Sequence, residues 1–84
     1  MSKWKAIVTE HTKVNQQSWE LGSFNTSRLA AGAAVVYAEQ AVDRLKRDGV
    51  LCYSLGDEQQ PNRPVVVKSR TTQRPIITVN VVRA

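Results

Sequence analysis

One helical segment, residues 25–49, limits the possible folds more than any other part of this sequence. Residues 25–27 offer side-chain oxygens for an N-cap, and Gly49 follows a basic stretch as a stop signal. The interior is rich in strong helix formers. One stripe at helical spacing consists mostly of small residues: Ala31, Ala34, Val35, Ala38, Ala41, Val42 and Leu45. Such a stripe predicts close packing against a sheet whose larger residues fill the remaining space.

Two alternating segments precede the helix. Residues 3–14 alternate between polar and apolar side chains except at Ile7, and residues 18–24 alternate again. A period of two is typical of a half-buried strand, and the polar residues 15–17 predict a hairpin turn between the two strands. The side chains expected to fill the space beneath the small stripe are Trp4, Trp19, Leu21 and, from beyond the helix, Tyr53.

Three more strands are predicted after the helix. Residues 50–55 show little alternation, which predicts a central strand. Pro64 and Pro75 each open a β-branched run, and proline favours the start of a strand because it cannot donate to the ladder. Residues 71–73 are expected at the tip of the hairpin between these two runs.

The order ββαβββ predicts an α+β fold, with an antiparallel sheet of about five strands and one long helix packed on one face. The 84 residues are enough for a single domain, 1–84. The face of the sheet away from the helix is expected to be open. It should carry Lys5, Thr9, His11, Lys13, Lys68, Arg70, Thr78 and Asn80.

The composition argues against a membrane and against an oxidising compartment. No apolar run approaches the ~18 residues of a membrane span, and the first eleven residues lack the apolar core of a secretory signal. The single cysteine, Cys52, excludes an internal disulfide and fits a reducing interior such as a cytoplasm.

No set of residues predicts catalysis or metal binding. Cys52 lies in an apolar run, where it is typical of a small buried hydrophobe, and His11 is the only histidine available as a base or a ligand. Asp57 and Glu58 lie in a polar loop, which favours solvated carboxylates over an acid–base pair. We therefore expect no enzyme activity, no cofactor and no metal.

The positive charge is concentrated in the last quarter of the chain. The net charge is +5, and residues 62–84 contain five basic residues and no acid. One interpretation is that these bases protect a sheet edge from aggregation. The other is that they contact phosphates or an acidic partner surface. On the second interpretation, the partner-binding residues are Lys68, Arg70, Arg74 and Arg63.

A second candidate surface lies on the helix, opposite the small stripe. Its residues are Leu29, Gly32, Ala33, Val36 and Gln40. Isolated exposed apolar residues are normal, and Leu29 could fold back onto Phe24. Alternatively, Leu29 and Val36 form a contact ridge for a partner or for a homodimer, with Gly32 allowing a close approach of two backbones.

The order of the elements resembles that of a group of small phage proteins. The segments KWKAIVTEH, SWELGSF and SRLAAGAAVVYAEQA stand as a hairpin followed by a helix, with one cysteine and no catalytic set. This layout is similar to that of phage-encoded inhibitors of the anti-CRISPR type. The resemblance covers the layout along most of the chain and assigns no functional residue.

The resemblance implies a non-enzymatic protein in the host cytoplasm that occupies a surface of a host defence or nucleic-acid-handling complex. Because the chain is basic, it would contact an acidic patch or the bound nucleic acid. The alternative is a basic nucleic-acid-binding module that uses the open sheet face and the 68–74 hairpin. The few aromatic residues and the missing sheet signature of RNA-binding domains favour the inhibitor.

Overall fold

The computed structural model describes residues 3–11 and 16–84. The elements are β1 (Trp4–His11), β2 (Gln16–Phe24), α1 (Ser27–Arg47), β3 (Cys52–Leu55), β4 (Val65–Ser69) and β5 (Pro75–Arg83). The ββαβββ order and the α+β class are confirmed. Lys13 and part of the predicted 15–17 turn fall outside the described residues.

The five strands form one antiparallel sheet in the order β2-β1-β5-β4-β3. The predicted β1–β2 and β4–β5 hairpins are both present, and β5 lies in the centre between β1 and β4. Because β2 and β3 are the two edges, α1 passes across the whole sheet and contacts all five strands. The helix therefore covers one face and leaves the other, the open face, uncovered.

The prediction that residues 50–55 form a central strand is wrong. The strand β3 begins only at Cys52 and lies at the edge of the sheet. Leu51 precedes it and is 61% exposed, and Leu55 at its end is 49% exposed. A lack of alternation shows that both faces of a strand carry apolar side chains. It does not show whether the strand has a neighbour on one side or on both.

The core lies between α1 and the sheet. On the helix, Ala31, Ala34, Ala38, Ala41 and Val42 are buried, as the small stripe predicts. The space beneath them is filled mainly by β-branched residues, and the aromatic residues named above do not fill it. The buried strand residues are Ala6, Val8, Cys52, Val65, Val67, Ile77 and Val79.

The expected filling of the core is correct for Leu21, which packs against it, and wrong for Tyr53. Cys52 is fully buried on the helix side, and neighbouring strand residues point to opposite faces, so Tyr53 lies on the open face. Trp19 lies on the helix side but at the edge strand, where it is 38% exposed.

The predicted ends of the helix are confirmed. The side-chain oxygen of the N-cap Thr26 accepts a hydrogen bond from the backbone N–H of Leu29 at 3.1 Å. At the other end Gly49 adopts a φ of 83°, the left-handed conformation that glycine allows without strain. Within residues 3–11 and 16–84, no helix is long and apolar enough to cross a membrane.

Candidate binding surfaces

Three residues near the β3 edge of the open face form the first candidate surface, which we name the basic corner: Tyr53, Lys68 and Arg70. Tyr53 and Lys68 are directly paired across β3 and β4. The guanidinium carbon of Arg70 lies 5.8 Å from the centroid of the Tyr53 ring, within the range of a cation–π contact. Two bases are thus held beside one half-buried aromatic ring.

The turn between β4 and β5 is tied to β3 by hydrogen bonds that fix the basic corner. Gln73 has a φ of 60°, which is uncommon for a residue other than glycine. Its side-chain oxygen accepts from the Tyr53 hydroxyl at 2.6 Å, and its amide nitrogen donates to the Arg70 carbonyl at 3.2 Å. The Arg70 N–H donates to the Leu51 carbonyl at 2.9 Å. Both the backbone and the side chain of Arg70 are therefore restrained.

The other two predicted bases lie around this corner. Arg74 is exposed at the end of the turn, where its carbonyl accepts from the Ser69 N–H at 3.0 Å. Arg63 is exposed on the loop before β4 and lines a groove of about 410 Å³ together with Lys68. Lys68 therefore lies near two other basic residues. It is near Arg70 because both are next to Tyr53, and near Arg63 because both line the groove.

The loop also brings an acid towards these bases. Although residues 62–84 contain no carboxylate side chain, Asp57 lines the same groove as Arg63 and Lys68. No ion pair forms there: in the described part of the chain, the one such pair joins Lys5 to Glu20 at 2.8 Å. The charges of Arg63, Lys68, Arg70 and Arg74 therefore remain available to a partner.

The open face is less polar than the sequence predicts. Strand pairing places Lys5, Thr9, Thr78 and Asn80 on it, as expected. Pairing also places Val66 and Leu55 on it, in one row with Ser18, Thr9 and Thr78. A row without bases therefore separates Lys68, which pairs with Pro75 at the start of β5, from Lys5, which pairs with Val82 near its end.

His11 lies on the open face, where neighbouring polar side chains form hydrogen bonds with its ring. Its Nε2 lies 2.7 Å from the Thr78 hydroxyl, and the Gln16 side chain donates to its Nδ1 at 3.2 Å. Cys52 lies on the opposite face, so the two residues cannot act together. No group of three or more potential metal-ligating side chains occurs in the described residues.

The helix ridge is exposed as predicted. Leu29 is 58% exposed and Val36 is 53% exposed. Both border a mainly apolar groove of about 880 Å³, which Leu21, Phe24, Ala33 and Tyr37 also line. Whether the ridge contacts a partner or a second copy stays a prediction.

Gly32 lies next to a side chain of the loop after β3. A side-chain oxygen of Glu58 lies 3.2 Å from the position that a Cβ on Gly32 would occupy. The loop after β3 therefore reaches the helix at this point. Glu58 is exposed and its side chain is flexible, so the close approach of a second backbone expected at Gly32 stays a prediction.

Sequence reasoning missed the aromatic member of the basic corner. The signal was strand geometry: consecutive side chains point to opposite faces, so the expected burial of Cys52 requires that Tyr53 point the other way. Comparisons with models of known protein families, with curated proteins and with solved structures gave no match. Functional proposals therefore rest on the surfaces described above.

Proposed function

We propose that this protein is a non-enzymatic binding protein that occupies an acidic surface of a host protein or nucleoprotein complex, as a phage-encoded inhibitor of the anti-CRISPR type would. The observation that carries the proposal is the basic corner. Arg70 is held on the Tyr53 ring beside Lys68, and no described carboxylate pairs with either base.

The restraint on Arg70 matters because binding otherwise costs side-chain entropy. Ordering one long side chain at an interface costs about 0.5–1.5 kcal/mol. The ring contact already limits the side chain of Arg70, and the Leu51 carbonyl holds the backbone from which that side chain projects. A guanidinium also makes paired hydrogen bonds with a carboxylate, which suits an acidic protein surface.

The first experiment reverses the charge of Arg70 and Arg74 together. We expect the Arg70→Glu, Arg74→Glu variant to lose the proteins that the wild type captures from a nuclease-treated bacterial lysate. The thermal midpoint should change little, because exposed charges contribute about 0–1 kcal/mol to stability. Affinity capture with mass spectrometry and a thermal melt measure the two effects.

The matched control makes the same change of net charge elsewhere. Lys3 and Arg47 are exposed and lie outside both the basic corner and the apolar groove, so Lys3→Glu with Arg47→Glu should preserve capture. A folded Arg70→Glu, Arg74→Glu variant that captures the same proteins as the wild type would remove the basic corner from the binding surface.

A nucleic-acid-binding module is the second candidate, and the Tyr53 ring favours it. An unpaired nucleobase can stack on an aromatic ring while neighbouring lysine and arginine side chains contact the phosphates. Fluorescence anisotropy with random single-stranded and duplex oligonucleotides tests this candidate. Affinity should fall steeply with salt, because binding releases counterions. An absence of binding at low salt rejects it.

A further inference from the structure

The strand β2 is a long edge of the sheet. It runs for nine residues, Gln16–Phe24, and contains no lysine, arginine or proline, the residues that usually blunt such edges. The opposite edge, β3, has only four residues. A register shift opposite Ala6 and Ile7 interrupts the pairing of β2 with β1, but residues 16–20 pair regularly. Their outer side offers unpaired backbone groups to another strand.

The side chains of β2 define what kind of strand fits there. Trp19 pairs with the buried Val8 and so lies on the helix side, while Ser18 and Glu20 lie on the open face. An added strand must also place an apolar side chain on the helix side and polar side chains on the open face. The β2 strand of a second copy has this division, because it is the same sequence.

The charges also favour a second copy at β2. The one charged residue of β2, Glu20, is already paired with Lys5 at 2.8 Å. Neighbouring strands lie ~4.8 Å apart, so Lys68 on β4 is roughly 14 Å from β2, beyond the ~8 Å Debye length at physiological salt. Two copies that meet at β2 keep their basic corners apart, whereas pairing at β3 would bring them together.

We propose that two copies associate by antiparallel pairing of their β2 strands, centred on Ser18. This register uses the regular segment 16–20 of both copies. It places Glu20 opposite the neutral Gln16 of the second copy and avoids a contact between two Glu20 carboxylates. The two sheets become one continuous sheet with both helices on the same face. The interface is isologous and closed, so it does not extend to a third copy.

The first test is the oligomeric state in sedimentation experiments. The wild type should be a dimer, and Trp19→Lys should be a monomer because it places a charge in the seam. A lysine introduced beside the other edge, in Leu51→Lys, should leave the dimer intact. A wild type that is monomeric at millimolar concentration, or a Trp19→Lys variant that remains dimeric, overturns the proposal.

The second test does not depend on the stability of Trp19→Lys. In the proposed register, Ser18→Cys places two thiols directly opposite each other, and they should form a disulfide rapidly under mild oxidation. Ser23→Cys, an exposed residue beyond the irregularity, should not cross-link. The native Cys52 is fully buried and does not interfere. Equal, slow cross-linking of both variants indicates random collision and contradicts the pairing.

A third variant separates this dimer from one through the helix ridge. Val36 lies on α1 and borders the apolar groove with Leu21 and Phe24, outside the paired segment 16–20, so Val36→Glu should leave the proposed dimer intact. Dissociation by Val36→Glu together with survival in Trp19→Lys would place the interface on the ridge and overturn the proposal. Because these tests need no host partner, their result is independent of the proposed function.

Discussion

At the scale of single residues, Gly56 is the glycine with the least room for a side chain. A Cβ at this position would lie 2.6 Å, 2.8 Å and 2.9 Å from three side-chain carbons of Val65. Carbon atoms do not approach so closely without strain. Val65 is buried in the core and cannot move aside easily. The glycine therefore allows the loop after β3 to pass directly over the start of β4.

We expect Gly56→Ala to lower the free energy of unfolding by about 1–3 kcal/mol, the usual cost of overpacking. Chemical denaturation measures this. The control is Gly22→Ala, where the added Cβ would meet nothing closer than the Phe24 ring at 3.7 Å, an ordinary contact. If both variants lose the same stability, the loss comes from replacing a glycine at all, and the contact of the new Cβ with Val65 is not its cause.

At the scale of elements, α1 depends on small side chains where it crosses the sheet. Ala34 and Ala38 are almost fully buried and face the β-branched residues of the central strands. The tight packing leaves no space for a longer side chain. The opposite side of the same helix borders open grooves, where added atoms meet solvent.

We therefore expect Ala38→Leu to destabilise the protein by about 1–3 kcal/mol. Ala33→Leu is the matched control: it makes the same change in the same helix, but at a half-exposed position on the apolar groove. Denaturation midpoints of the two variants give the comparison. An unchanged midpoint for Ala38→Leu would show that the small stripe is not closely packed.

The elements could be predicted because their signals are local. Thr26, Gly49 and the small stripe determine the helix, and Pro75 marks the first residue of β5. The neighbours of a strand are not local information, which is why β3 was expected in the centre. The basic corner was predicted in part: the bases were visible as a charge excess, but their contact with Tyr53 depends on which face a strand residue occupies.

At the scale of the whole molecule, the centre of the sheet controls stability. β5 pairs with β1 on one side and β4 on the other, and Ile77 and Val79 are buried beneath the helix. The edge strands can open locally, whereas β5 cannot separate without breaking both halves of the sheet.

Native-state hydrogen exchange should show this difference. We expect the amides of Ile77 and Val79 to exchange only through global unfolding, with a free energy equal to that from denaturation. The amides of the four-residue edge strand β3 should exchange through smaller openings. Equal protection of β3 and β5 would show that the sheet opens only as a unit and would contradict this ranking.

The central position of β5 also has a consequence for synthesis on the ribosome. The β1–β2 hairpin and the β3–β4 hairpin have no backbone pairing with each other, and β5 joins them. The contact between His11 and Thr78 spans 67 residues, so such pairings form late and slowly. Until residues 75–83 have left the exit tunnel, the nascent chain exposes two unpaired strand edges and an uncovered apolar helix stripe. This protein is therefore most open to chaperones, proteases and aggregation after β4 has been translated and before β5 has left the exit tunnel.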